Sequence, residues 1–140
     1  KIFGMIFILS NKLQILGDDI TGDVTLKQWF LINGIHNSNR ELNYNELSDL
    51  MGTTRQNIAK MVSALKKKGM VEVKPSKTDS RSVNIHLTNK SKEYFNTKEE
   101  MGNYLLGNIF MGLEKEELQD LVNNLEKVMI NTELHLQVKK

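Results

Sequence analysis

The run Asn43-Tyr44-Asn45-Glu46-Leu47-Ser48-Asp49-Leu50-Met51-Gly52-Thr53-Thr54-Arg55-Gln56 leaves the backbone little choice. A short polar side chain at a helix start accepts an orphan N–H, and a Glu or Gln three residues later reaches back to the cap. That pattern occurs twice here, at Asn43/Glu46 and at Thr53/Gln56. Gly52 lies between them and supplies the left-handed residue that stops the first helix. Two helices must therefore meet across a tight turn. The first is short, with Leu47, Leu50 and Met51 expected inward. The second puts Ile58, Met61, Val62 and Leu65 on one face and Arg55, Gln56, Asn57, Lys60, Ser63 and Lys67 on the others. Lys66-Lys67-Lys68-Gly69 closes it, with positive charge at the negative end of the helix dipole.

A hairpin follows. Val71 and Val73 share one face of a strand from Met70 to Lys74, and Val83, Ile85 and Leu87 alternate with Asn84 and His86. Pro75 sits where a ladder hydrogen bond is no longer needed, and Lys77, Thr78, Asp79 and Ser80 are turn chemistry. Upstream, Thr25 and Gln28 cap a core helix carrying Leu26, Trp29, Phe30, Ile32 and Ile35. Downstream, Thr88 caps a helix with Tyr94, Phe95, Met101, Leu105 and Ile109, and a last helix after Gly112 bears Leu118, Leu121, Val122, Leu125, Val128 and Met129. The apolar opening Ile2 to Leu9 is interrupted by Gly4 and stops well short of the ~20 residues a membrane span needs, so it reads as a buried helix face. With 140 residues and one proline, the chain predicts a single domain. The expected fold is mainly α with a small β-hairpin, a winged helix-turn-helix over 25–88, with its helix-turn-helix at about 43–68 and its wing at about 70–87.

Charge locates the working face. From Thr53 to Lys92 there are ten basic and two acidic residues, a net +8, whereas the remainder carries nine basic and fifteen acidic, a net −6. A basic segment in an otherwise acidic chain is the footprint of a polyanion binder, although a solvated lysine-rich face has the same composition. The major groove, ~12 Å wide, admits one helix read from its N-terminal residues. Arg55 there matches guanine, Gln56 or Asn57 adenine, Lys60 phosphate or guanine, and Thr54 a phosphate at the positive helix end. A hairpin tip beside that helix would carry Lys77 and Arg81 toward the adjoining minor groove, whose negative potential attracts arginine. Asp79 would repel phosphate by itself, so its expected role is to hold the Arg81 guanidinium by paired hydrogen bonds. An exposed ion pair at a turn accounts for the same spacing.

These residues resemble a known family. Asp79-Ser80-Arg81-Ser82-Val83-Asn84-Ile85-His86-Leu87-Thr88 is similar to the D-x-R-x-x-x-x-x-L-T wing signature of the multiple-antibiotic-resistance regulator (MarR) family. Leu26-Lys27-Gln28-Trp29 resembles its L-T-x-x-Q-[WY] helix, with the threonine displaced to Thr25. Leu47 to Gly52 and Leu65 to Val71 resemble its helix-turn-helix and strand entry. The resemblance implies a bacterial homodimeric regulator, usually a repressor of nearby genes that a small-molecule effector releases from a near-palindromic operator in double-stranded DNA. It implies that Arg81 enters the minor groove with Asp79 holding it, and that helices at 1–17 and 113–138 interleave across a two-fold axis. The effector cleft of the family would here involve Trp29, Phe30, Ile35 or His36, each of which also fits an ordinary core.

Other classes fit less well. His36, His86 and His135 are far apart, no two histidines are spaced i, i+4, and no cysteine, G-x-S-x-G or phosphate-cradling loop is present. No enzyme, cofactor or metal is expected. The absence of cysteine fits a reducing cytoplasm and closes the thiol-oxidation switch some relatives use. The remaining alternative is a winged-helix module that contacts only protein.

Overall fold

The computed structural model describes residues 1–138; Lys139 and Lys140, which the single-domain expectation also spans, lie outside the described residues. These residues group into two compact units that divide between Met101 and Gly102.

The first unit holds α1 (Ile2–Thr21), α2 (Leu26–His36), β1 (Leu42–Asn43), α3 (Tyr44–Met51), α4 (Arg55–Lys67), β2 (Val71–Pro75), β3 (Val83–Leu87) and the start of α5 (Asn89–Ile109). Its core is one cluster in which Leu31 and Ile32 of α2, Leu47 of α3, Ile58, Val62 and Leu65 of α4 and Ile85 of β3 lose essentially all contact with solvent. Each such side chain gains about 1.5–3 kcal/mol on burial. The helical spacing of α4 thus does what the sequence demands of it: one face is core and the remainder is free. The expected inward set is corrected at Phe30 and Leu50, each 49% exposed. In their place the polar Gln28 is buried, because its Oε1 accepts both the Thr25 N–H and the Lys68 ammonium, at 3.2 and 3.1 Å.

Strand order is β1-β3-β2, antiparallel throughout, with Leu42 opposite Ile85 and Val73 opposite Ile85 on the other side. The hairpin is as expected, with Pro75 paired to Val83 at its outer end. The third strand is new. Two residues carry no periodicity, so β1 has no signature of its own. It pairs along the free edge of β3, and Glu41 just before it reaches the polar side chains of that strand: Asn84 is buried and its amide donates to Glu41 Oε2 at 2.7 Å, and His86 Nε2 lies 3.9 Å from Glu41 Oε1.

Thr88 closes the base of the hairpin. Its N–H donates to Met70 O at 3.1 Å, its hydroxyl to Gly69 O at 2.7 Å, and its Oγ1 accepts the Ser91 N–H at the head of α5. The Tyr94 hydroxyl donates to Thr21 O at 2.6 Å and ties α5 to the end of α1; burial, aided by the nearby charge of Asp23, raises its pKa.

The apolar opening Ile2 to Leu9, expected as a buried face, finds no cover inside the single chain. Within this chain Ile2, Phe3, Met5, Ile6, Phe7, Ile8 and Leu9 are all exposed. Only near its C-terminal end does α1 pack closely, where Gly17 faces Leu26.

The second unit comprises the end of α5, a turn in which Gly112 adopts φ 86°, and α6 (Lys115–Val138). Glu117 accepts the Glu114 N–H at 2.8 Å and starts the helix. No residue of α6 is buried, and Leu121, Val122, Leu125, Val128 and Met129 stand exposed along it.

Candidate nucleic-acid interface

The sharp entry into α4 is set by two consecutive threonines. The cap is Thr54, one residue later than expected: its Oγ1 accepts the Asn57 N–H at 3.2 Å. Thr53 instead accepts the Asn57 side-chain amide at 3.0 Å. Gln56 therefore plays no part in the cap and is exposed, whereas Asn57 contributes both its backbone and its side chain to it. Of the expected base-reading pair, Gln56 is the free one.

Before the turn, α3 is held by a complete capping box. Asn43 Oδ1 accepts the N–H groups of Asn45 and Glu46 at 2.9 and 3.1 Å, and Glu46 Oε2 accepts the Asn43 N–H at 2.8 Å. The Glu46 carboxylate is also paired with Arg40. The Asn43 N–H, and then Arg40, hold the Glu46 carboxyl below the usual carboxylate range. Gly52 ends the helix at φ 58°, ψ 37°, a left-handed geometry that a side chain would strain.

At the wing, residues 76–82 form the tip, closed by the Ser76 N–H donating to Ser82 O at 2.9 Å. Ser76 Oγ accepts the N–H groups of Thr78 and Asp79, both at 3.3 Å. The expected clamp of Asp79 on the Arg81 guanidinium is not formed. Asp79 Oδ1 accepts the backbone N–H of Arg81 at 2.9 Å, a local turn that costs the chain little entropy, and the Arg81 side chain stays exposed.

The two elements converge. Arg55, Asp79 and Arg81, with Asn43, Tyr44, Asn45, Ser82 and Val83, line one polar cleft of about 300 Å³. Thr54, Gln56, Asn57, Lys60 and Lys77 are exposed but do not line it. Tyr44 and Asn45, which sequence reasoning passed over, join it because they open α3 beside the wing. The basic segment is also partly spent internally. Lys68 donates to Asp23 O and Gln28, Lys90 to Lys68 O at 2.8 Å, and Lys74 pairs with Glu72, whose pKa it lowers. Arg55, Lys60, Lys66, Lys67, Lys77 and Arg81 enter no ion pair among the described residues.

The four expected effector residues divide. Trp29 and His36 stack on Phe95, with ring centroids 6.0 and 4.9 Å apart, and Ile35 packs against the core. Phe30 alone faces a hollow, between α2 and α3. No group of three or more potential metal-ligating side chains is assembled among the described residues. None of the described helices is long and apolar enough to cross a membrane.

Residues 22–82, from the approach to α2 through the wing tip, match the model of the MarR family. A MarR protein from Peptoclostridium difficile is similar at 26% identity and TM-score 0.87, over 99% of this chain and 92% of that one. A MarR/EmrR family transcriptional regulator from Acinetobacter sp. ADP1 shares the fold at 19% identity and TM-score 0.86, over 94% of each chain. So does MepR of S. aureus, solved in a DNA complex, at 16% identity and TM-score 0.84, over 94% of this chain and 98% of that one.

Proposed function

From the match of residues 22–82 to the MarR family model, we propose that this chain is a MarR-type homodimeric, sequence-specific DNA-binding transcriptional regulator, a repressor of nearby genes that a small ligand releases from a near-palindromic operator. The observation that carries the reading is the cleft where Arg55, at the first turn of α4, and Arg81, at the wing tip, stand together, neither guanidinium in an ion pair among the described residues. One arginine is at the end of a helix narrow enough for the major groove, and the other is on a hairpin that reaches the neighbouring minor groove. Gln56 and Lys60 extend the helix contact, and Thr54, Lys77 and the lysines at 66 and 67 supply phosphate contacts. Asp79 positions Arg81 by fixing the turn rather than by gripping its side chain.

Two copies are needed because a near-palindromic site is read by two recognition helices about one DNA turn apart. The apolar surface on α1 and on α6, uncovered in the single chain, suits a second copy. The relative solved on DNA supports the same reading.

The test is duplex binding against salt, using a fragment selected from a random pool and read by fluorescence anisotropy. Log affinity should fall linearly with log salt, at about −0.9 per phosphate contacted. A flat dependence would instead favour a module that contacts only protein.

A further inference from the structure

The hollow that Phe30 faces shares no lining residue with the cleft that holds Arg55 and Arg81. It measures about 540 Å³, within the ~300–1,000 Å³ of small-molecule sites, and is lined by Phe30, Asn33, Asn37, Arg40, Glu46, Asp49 and Leu50, among others. Its construction is specific. Gly34 lies beneath Leu50, where an added Cβ would come within 2.5 Å of Leu50 Cδ2, so the glycine lets α3 approach α2 closely at this point. Phe30 and Leu50 then stand half exposed as apolar walls facing the space.

The charge of the lining selects the ligand. Arg40 is already neutralised by Glu46, and Asp49 enters no ion pair among the described residues, so the hollow is net negative within an otherwise basic helix-turn-helix region. An anion would find no free cation here. An ammonium group would find the Asp49 carboxylate, the amide oxygen of Asn37, whose NH₂ is already donated to Asn33 Oδ1 and Asn33 O at 2.6 and 3.0 Å, and the aromatic ring of Phe30.

We infer that the hollow between α2 and α3 binds a small amphiphilic cation, an amine or quaternary ammonium on an aromatic or alkyl body, and thereby weakens DNA binding. The coupling runs through one hydrogen-bonded unit. Glu46 lines the hollow, its Oε2 holds the Asn43 N–H, and Asn43 lines the cleft that contains Arg55 and Arg81. A cation that draws the Glu46 carboxylate toward itself loosens the cap of α3 at the wall of the DNA-facing cleft. The site itself stands independently of the proposed function; the coupling rests on that reading.

The probe is 2-phenylethylamine, compared with 3-phenylpropanoate, which keeps the body and inverts the charge. In NMR titrations of the protein without DNA, the amine should shift the amides of Asn33, Asn37 and Asp49 saturably, and the carboxylate should not. Asp49→Asn, an exposed change that should leave the melting temperature in place, should weaken amine binding about fivefold. No saturable shift up to about 10 mM, equal binding of both probes, or unchanged affinity in Asp49→Asn would overturn the site. With DNA present, the amine should weaken duplex binding by the parent protein and much less by Asp49→Asn; an equal effect on both, or none on the parent, overturns the coupling. A protein that binds the amine but no duplex fails the functional reading and not the site.

Discussion

At the residue scale, Asp79 and Arg81 meet through the backbone of the wing tip and not through the guanidinium. The spacing of Asp79 and Arg81 is visible in the sequence, as is the turn chemistry around them. Which atom of Arg81 the carboxylate engages is not, because that depends on the backbone dihedrals of the tip, which the Ser76–Ser82 closure sets. The distinction has a measurable consequence. Arg81→Ala should weaken operator binding by about 1–3 kcal/mol with the melting temperature unchanged, since the side chain lies outside the core. Asp79→Asn keeps the turn acceptor and removes a negative charge near phosphate, so it should retain the parent affinity or exceed it, whereas Asp79→Ala should lose affinity. Anisotropy titrations of the three variants decide the matter: a loss in Asp79→Asn as large as in Asp79→Ala would restore the guanidinium clamp. The cap at α4 has the same lesson. Two adjacent threonines offer two starts, and the choice of Thr54 leaves Gln56 exposed and outside the cap while committing Asn57 to the helix end.

At the element scale, the α-helices and the hairpin were legible because their apolar spacing and caps agree with one another. β1 was not legible. It exists because Leu42 enters the core and its backbone then meets the free edge of β3, a tertiary event with no local pattern. Its neighbour, the capping box of α3, carries a pH dependence. Glu46 has a lowered pKa in the folded protein, so its contribution is present above the unfolded carboxylate value and is lost as pH falls through the lower folded one. Glu46→Gln should therefore melt below the parent at pH 7, and the gap should close as the pH falls below about 4. A gap that is constant down to pH 3 in thermal melts would refute this. A second element-level test concerns the crossing of α1 and α2. A Cβ on Gly17 would lie 2.6–2.8 Å from Leu26 Cδ1, Cδ2 and Cγ, the last of which is a branch point that cannot simply swing away. Gly17→Ala should lose about 1–3 kcal/mol to overpacking, against a gain of about 1 kcal/mol in helix propensity, and so lower the melting temperature by a few degrees. A higher melting temperature would show that the two helices separate freely.

At the scale of the whole molecule, the long apolar faces are the unsolved half of the sequence pattern. The apolar opening Ile2 to Leu9 and the apolar residues of the last helix, which the family resemblance sets across a two-fold axis, find no cover within one chain. Exposed contiguous apolar surface on a folded chain marks an interface. Sedimentation equilibrium should give twice the chain mass, and Leu125→Lys, placed on the exposed face of α6, should shift the protein toward monomer and reduce operator affinity together. A mass of one chain for the parent at micromolar concentration would remove the dimer. The two residues of β1 bear on the same assembly. By stitching the entrance of α3 to β3, they turn the hairpin from a swinging arm into a rigid caliper whose jaws are Arg55 and Arg81. If the proposed function holds, a caliper of preset gap would register the distance between neighbouring furrows of the duplex, and sequences that narrow or widen that distance should be discriminated without any base being touched.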